Sequence, residues 1–313
     1  MITNAKAIAT RDAYGEALVT LGDLYPNLVV LEADISKSTR TNKFAKEFPD
    51  RFFQFGVAEG NMMAAAAGLA TTGKITFLST YAVFASMRAM EPLRTLIAYG
   101  ELNVKIAVSH GGFTPANDGV THQATEDLAM LRVLPGMTVI MPADYYSTVA
   151  LVTAAAEIDG PVYLRFTRDP VPVLYKPENE FQIGKGIVIR KGGDVTLLAN
   201  GDMLHIALEA SEQLESKGIQ ADVIDIHTIK PLDTDLILDS VARTRRVVTI
   251  EDHQISGGLG GAVSELLCES LPTPMRRIGL QNTFAESGQY NLLLRKYQMD
   301  SISIVNAVFD LMK

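Results

Sequence analysis

The sequence has a single cysteine among 313 residues, Cys268, so it can form no internal disulfide and no cysteine-rich metal site. That usage agrees with a reducing, cytoplasmic compartment. Within "SELLCES" the thiol reads as a buried, helix-packing group. Positive charge is also short. The 28 Lys and Arg against 36 Asp and Glu leave a formal charge of -8, which offers no basic surface to a phosphate backbone and argues against a nucleic acid partner. Long hydrophobic runs are missing too, since none approaches the roughly 18 apolar residues of a membrane span. The longest, at residues 62–70, is rich in alanine and suits a helix packed closely inside a protein. The opening "MITNAKAIATRDAYGEAL" has no apolar signal-peptide core and reads as a loop entering an amphipathic helix.

What is there is a chain that is 47% apolar and 20% charged, with 24 glycines, long enough for two domains of roughly 120 to 170 residues. Strand and helix patterns alternate along it. "NLVVLEAD", "RFFQFGVAE", "ITFLSTY", "VKIAVSH", "MTVIMPAD" and "PVYLRFTRDPVP" read as strands, with helices at residues 60–71 and in "QATEDLAMLRVLP". Strands apolar on both faces and separated by helices predict an α/β fold with a parallel sheet covered on each side. Residues 171–186, rich in proline and polar residues, read as a linker between a domain at 1–170 and a smaller α/β domain at 187–313. The second domain carries "DVTLLAN", the helix "MLHIALEASEQLESKG", then "QADVIDIHTIKPLD", "RRVVTIEDH" and a helix starting near Gly260. There is no internal repeat and no low-complexity tract.

Functional groups in parallel sheets gather at the carboxyl ends of strands. Asp34, Glu59, Tyr81, His110 and Arg168 all fall where a predicted strand ends. The loop "SHGGFTPANDGVTHQATED" adds His122 and, four residues before it, Asp118, which a turn could bring into the same cleft. A histidine there can shuttle a proton or donate a hydrogen bond near neutral pH. The spacing does not make a metal site, and His205, His227 and His253 read as structural. "SGGLGGAV" has the wrong glycine spacing for a dinucleotide fingerprint and reads as a strand-to-helix turn.

Taken together, "ATRDAYGEAL", "GVAEGNM", "STYAVF" and "NDGVTHQATEDLAMLRVLPGMTVIMPAD" resemble the pyrimidine-binding domain of transketolases, and "EDHQISGGLGGAV" extends the likeness into their C-terminal domain. The resemblance implies the cofactors thiamine diphosphate and Mg2+. It makes Glu59 the acid that bonds a ring nitrogen of the aminopyrimidine and favours its imino tautomer. It places Tyr81 and Phe84 on the faces of that ring and counts Asp34 among the cofactor contacts. Met87 departs from a further aromatic residue common in the family. The resemblance assigns Arg11, Ser38, His110 and Arg168 to the terminal phosphate of a sugar, Asp118 to a sugar hydroxyl, and His122 to the reacting carbonyl and hydroxyl of the donor, with His122 and His110 joining Glu59 as catalytic groups.

The family's "GDG" segment and later asparagine, which hold the diphosphate and metal, have no counterpart: "GGDV" and "NGDM" lack the sequel. The resemblance therefore implies a split transketolase whose diphosphate half is a separate N-terminal subunit, assembled on a homodimer core or as a heterotetramer of two copies of each chain, acting on sugar phosphates. Deoxyxylulose-phosphate synthase and the beta chain of 2-oxo acid dehydrogenases share the domain order and the glutamate. "DGVTHQ" with His110, and the "ATRDAYGEAL" start, favour transketolase. A non-catalytic subunit that kept the fold is disfavoured by the presence of Glu59, His110, Asp118 and His122 together.

Overall fold

The computed structural model describes residues 6–313. The chain starts with β1 (Ala7–Ile8) and the helix Thr10–Leu24, whose Tyr14, Leu18 and Leu21 are buried. This agrees with the amphipathic entry read from the sequence, except that residues 1–5 of that reading lie outside the described residues. Six strands follow: β2 (Leu28–Glu32), β3 (Phe52–Gln54), β4 (Ile75–Ser79), β5 (Val104–Val108), β6 (Thr138–Ile140) and β7 (Val162–Arg165). These six run parallel to one another. β2, β4, β5 and β7 are buried at every residue, as strands covered on both faces must be. Lys105 in β5 tolerates this because its ammonium donates to the carbonyls of Ile158 and Gly160 at 2.6 and 2.8 Å.

The segment "RFFQFGVAE" yields only the three residues of β3, half-exposed at the sheet edge, and the chain then turns into the helix Glu59–Ala70. The alanines of that helix allow close packing, and Met62, Met63, Ala66 and Ala67 face the core. After β7 comes β8 (Val171–Pro172), which pairs antiparallel with β1, so the start of the segment read as a linker is tied to the beginning of the chain.

The second unit contains β9 (Ile187–Arg190), β10 (Val195–Ala199), β11 (Ala221–Asp225), β12 (Thr228–Lys230), β13 (Val247–Gln254) and β14 (Met275–Leu280). Its sheet runs β14-β13-β10-β11-β9, with β9 antiparallel. The stretch "QADVIDIHTIKPLD" does not stay in one sheet. β11 belongs to the second sheet, while β12 crosses over and pairs antiparallel with β6, giving a first sheet of order β12-β6-β7-β5-β4-β2-β3. Packing follows the crossover: Ile224, Ile229 and Val263 share one apolar cluster with Val104 and Val139 of the first unit.

Cys268 corrects another expectation. The helix Leu259–Ser270 buries Leu259, Val263 and Leu267, and Cys268 falls on its exposed side. The chain has no helix long and apolar enough to cross a membrane among the described residues.

Candidate active site

The order β7-β5-β4-β2-β3 sets the carboxyl ends of five parallel strands side by side, about 4.8 Å apart from one strand to the next. Arg168, His110, Tyr81, Asp34 and Glu59 follow those ends in that order. The β4–β5 register carries on past the strands to bridge Tyr81 with Ser109, and this sets Tyr81 beside His110. Their rings stack with centroids 3.8 Å apart. Tyr81 precedes the helix Ala82–Met87, so Phe84 lies one turn on, with its ring 5.5 Å from that of Tyr81. His122 closes the group edge-on, 5.8 Å from Tyr81 and 5.6 Å from Phe84. Tyr81, Phe84 and His110 thus form a ring-lined wall with His122.

His110 is itself unusual. It has φ +65°, is buried, and its Nδ1 lies 2.8 Å from Ser109 Oγ. Burial, followed by the positive charges of Arg11 and Arg168 and the ring of His122, pushes the imidazole down to about 2. At pH 7 it is a neutral hydrogen-bonding group, so the positive charge beside it comes from the two arginines.

Arg11 donates from Nη1 to the carbonyl of Ser38 at 3.0 Å, and its Nε is buried without a partner among the described residues. Burial and the nearby charge of Arg40 push its pKa below the ordinary value. Arg168 lies 3.7 Å from Asp118 and 3.7 Å from Asp169, and donates to the carbonyl of Pro115 at 3.2 Å. Two guanidinium groups, one with an unused donor, make a corner suited to an anion.

Glu59 is the first residue of its helix and only 4% exposed. Its carboxylate meets a partner that sequence reasoning missed: Arg88 Nη1 lies 3.1 Å from Oε1, and the Arg88 guanidinium lies 4.1 Å over the ring of Phe84. A planar, nitrogen-bearing group that donates to Glu59 and lies on Phe84 is the kind of group an aminopyrimidine is, so these two residues fit such a ring.

The structure joins Glu59 to the ring wall through Arg88 and Phe84, and brings Arg11 and Arg168, with Asp118 beside the latter, near His110 of that wall. Asp34 and Ser38 are different. Asp34 is exposed at φ +66°, and its backbone N–H donates to Gln54 Oε1 at 2.6 Å. Ser38 enters through its carbonyl, which Arg11 engages. His227 and His253 are buried in the second unit. Met87, where the family often has an aromatic residue, is exposed next to Arg88.

Two family models match, "Transketolase, pyrimidine binding domain" over residues 6–173 and "Transketolase, C-terminal domain" over residues 184–304. A "putative transketolase C-terminal section" from Methanocaldococcus jannaschii is 48% identical over 97% of this chain and 96% of its own length. The "6-deoxy-6-sulfo-D-fructose transketolase subunit SqwH" of Clostridium sp. (strain MSTE9) is 39% identical over 96% of this chain and 93% of its own. A solved "split gene transketolase, inactive beta4 tetramer" superposes with a TM-score of 0.92 at 50% identity, covering 97% of this chain and 98% of that one. With these matches along nearly its whole length, this chain belongs to the transketolase family and carries its pyrimidine-binding and C-terminal domains.

Proposed function

We propose that the protein is the cytoplasmic C-terminal subunit of a split transketolase that transfers a two-carbon ketol unit from a ketose phosphate to an aldose phosphate. The observation that carries this reading is the joining of a nearly buried Glu59 to the ring wall of Phe84, Tyr81 and His122, with two arginines behind it. The family implies thiamine diphosphate and a divalent metal. When bound, thiamine diphosphate supplies the nucleophilic carbon that allows a ketose to break the bond beside its carbonyl.

In this reading Glu59 bonds the ring nitrogen of the pyrimidine, and Phe84 and Tyr81 cover its faces. Asp34 borders the same strand-end edge and joins the cofactor contacts there. His122, at the wall, donates to or relays a proton at the donor's reacting oxygen. Asp118 accepts from a sugar hydroxyl. Arg11 and Arg168 take the terminal anion, and His110 adds a neutral N–H; Ser38 contributes by fixing Arg11 through its carbonyl. A sulfonate at the end of the sugar would suit the same corner, in line with the name of the Clostridium relative.

The metal and the diphosphate are assigned to a partner subunit of similar size. The acids of "GGDV" and "NGDM" are engaged inside the second unit, Asp194 by the backbone N–H of Gln220 at 2.7 Å and Asp202 by the hydroxyl of Tyr290. Two copies of each chain form the proposed assembly, around a homodimer of this one.

The test is ketol transfer from xylulose 5-phosphate to ribose 5-phosphate with thiamine diphosphate and Mg2+, run with this chain alone and with the product of the adjacent reading frame. Activity only in the mixture is expected. Activity from the chain alone would overturn the split assignment. Silence in both, extended to other phosphorylated and sulfonated ketoses, would overturn the ketol-transfer reading.

A further inference from the structure

The loop that carries Asp118 and His122 leaves the first unit at Gly112 and returns at Ala124, where the two backbones exchange hydrogen bonds of 2.9 and 2.8 Å. That closed neck is gripped from both sides. From the first unit, the fully buried Arg165 donates to the carbonyl of Ala124 at 2.6 Å and pairs with Asp127 at 2.9 Å. Asp252, at the end of β13 in the second unit, accepts the Phe113 N–H with both carboxylate oxygens at 3.1 Å. Arg165 also donates to the Asp252 carbonyl at 3.0 Å, which links the two grips.

The fit around Asp252 leaves no slack. Gly112 has φ +60°, and a Cβ there would lie 1.9 Å from Asp252 Oδ2. The Phe113 ring leaves the first unit altogether. It packs in the apolar cluster of the second, 5.6 Å from Tyr290 and 6.2 Å from Tyr297. Farther along the loop, Gln123 donates to the carbonyl of Glu286 at 3.0 Å. The carboxylate that bonds the first amide of the loop is thus 139 residues away in sequence and in the other unit.

We propose that Asp252 is a positioning residue for ketol transfer: through the Phe113 amide, the C-terminal unit sets the loop that presents Asp118 and His122 to the sugar. This rests on the functional reading given above for those two residues. Glu59, Phe84 and Tyr81 lie on other segments, so the inference separates sugar binding from cofactor binding. Losing the grip would loosen the first and spare the second. A displacement of about 1 Å in a positioned group can cost as much as 100-fold in rate, so the effect is within reach of steady-state kinetics.

The experiment compares wild type, Asp252→Ala and Asp252→Asn, each full-length and reconstituted with its partner subunit. Burial and the neighbouring Asp202 push the Asp252 carboxyl well above the usual carboxylate range. Asn, which keeps one acceptor oxygen and the size of a protonated carboxyl, is therefore the conservative replacement. In Asp252→Ala the KM for xylulose 5-phosphate is expected to rise about tenfold or more, with thiamine diphosphate affinity within about twofold of wild type and Asp252→Asn restoring most of the loss. An unchanged sugar KM would overturn the proposal. So would a parallel loss of sugar affinity, cofactor affinity and melting temperature, the mark of general loosening.

Hydrogen exchange on this chain alone gives a reading that needs no activity and no variant. The Phe113 amide is expected to be as protected as the amides of β13, and exchange at the rate of a free loop would overturn the proposal. If the wild-type mixture shows no ketol transfer, the functional reading fails, while the exchange result still decides the grip of Asp252 on Phe113.

Discussion

Arg88 donates to Glu59 Oε1 at 3.1 Å while its guanidinium lies 4.1 Å over the ring of Phe84. One side chain therefore covers two of the groups assigned to the pyrimidine. Arg88 is half-exposed, which limits the ion pair and the ring contact together to ~1 kcal/mol. A ring that binds to Glu59 and Phe84 must displace it. Arg88→Ala is expected to tighten thiamine diphosphate binding about fivefold in the assembled enzyme, measured by calorimetric titration in Mg2+. Weaker binding in the variant would show that Arg88 holds the carboxylate for the cofactor.

Glu59→Gln keeps the volume and removes the charge. General acid–base work typically contributes 10²- to 10⁴-fold, and ketol transfer is expected to fall by about that factor. The melting temperature should move little, because the pair that is lost involves a half-exposed arginine. Full turnover with Glu59→Gln would remove this acid from the reaction and revive a non-catalytic role for the chain.

His110 couples the site to stability at low pH. Its folded imidazole takes up a proton only near about 2, whereas an unfolded one does so below about 6.5. Below about 6.5 the unfolded chain binds more protons, so stability is lost as pH falls through the acid range. The contribution amounts to about 2 kcal/mol between pH 8 and pH 5. Urea unfolding of wild type and His110→Asn should diverge by roughly this amount as the pH is lowered; parallel curves would refute the depressed titration.

Arg168 separates phosphate recognition from recognition of the rest of the sugar. Arg168→Ala is expected to raise the KM of a phosphorylated ketose by about tenfold, the loss of one charge-assisted contact of ~1.5 kcal/mol. An unphosphorylated ketose should respond far less. Equal effects on both, measured as kcat/KM for the two donors, would place Arg168 away from the phosphate.

Much of the first unit was legible because its strands are extreme. β2, β4 and β5 are five-residue strands, mostly apolar and buried at every residue, and a run buried on both faces has little choice but the middle of a parallel sheet. The strand-end rule then located Tyr81, His110 and Arg168, which the order β7-β5-β4 makes neighbours. "RFFQFGVAE" was overread because an edge strand has a partner on one side only, and its sequence does not say where pairing stops. "QADVIDIHTIKPLD" has the β pattern throughout, and nothing local shows that β12 leaves one sheet for the edge of another.

From the sequence alone follow the α/β class, the acid at the mouth of an alanine-rich helix, the two-histidine loop and the likeness to transketolases, because each is written in residues close together along the chain. The tertiary structure decided which side chains meet. Arg88 reaches Glu59 across 29 residues and Asp252 reaches Phe113 across 139. It also decided where two backbone groups go, the carbonyl of Ser38 to Arg11 and the N–H of Asp34 to Gln54. The physical reason is that hydrophobic period and turn chemistry are local, whereas the pairing of buried charges depends on which surfaces are pressed together once the two units close over their common core.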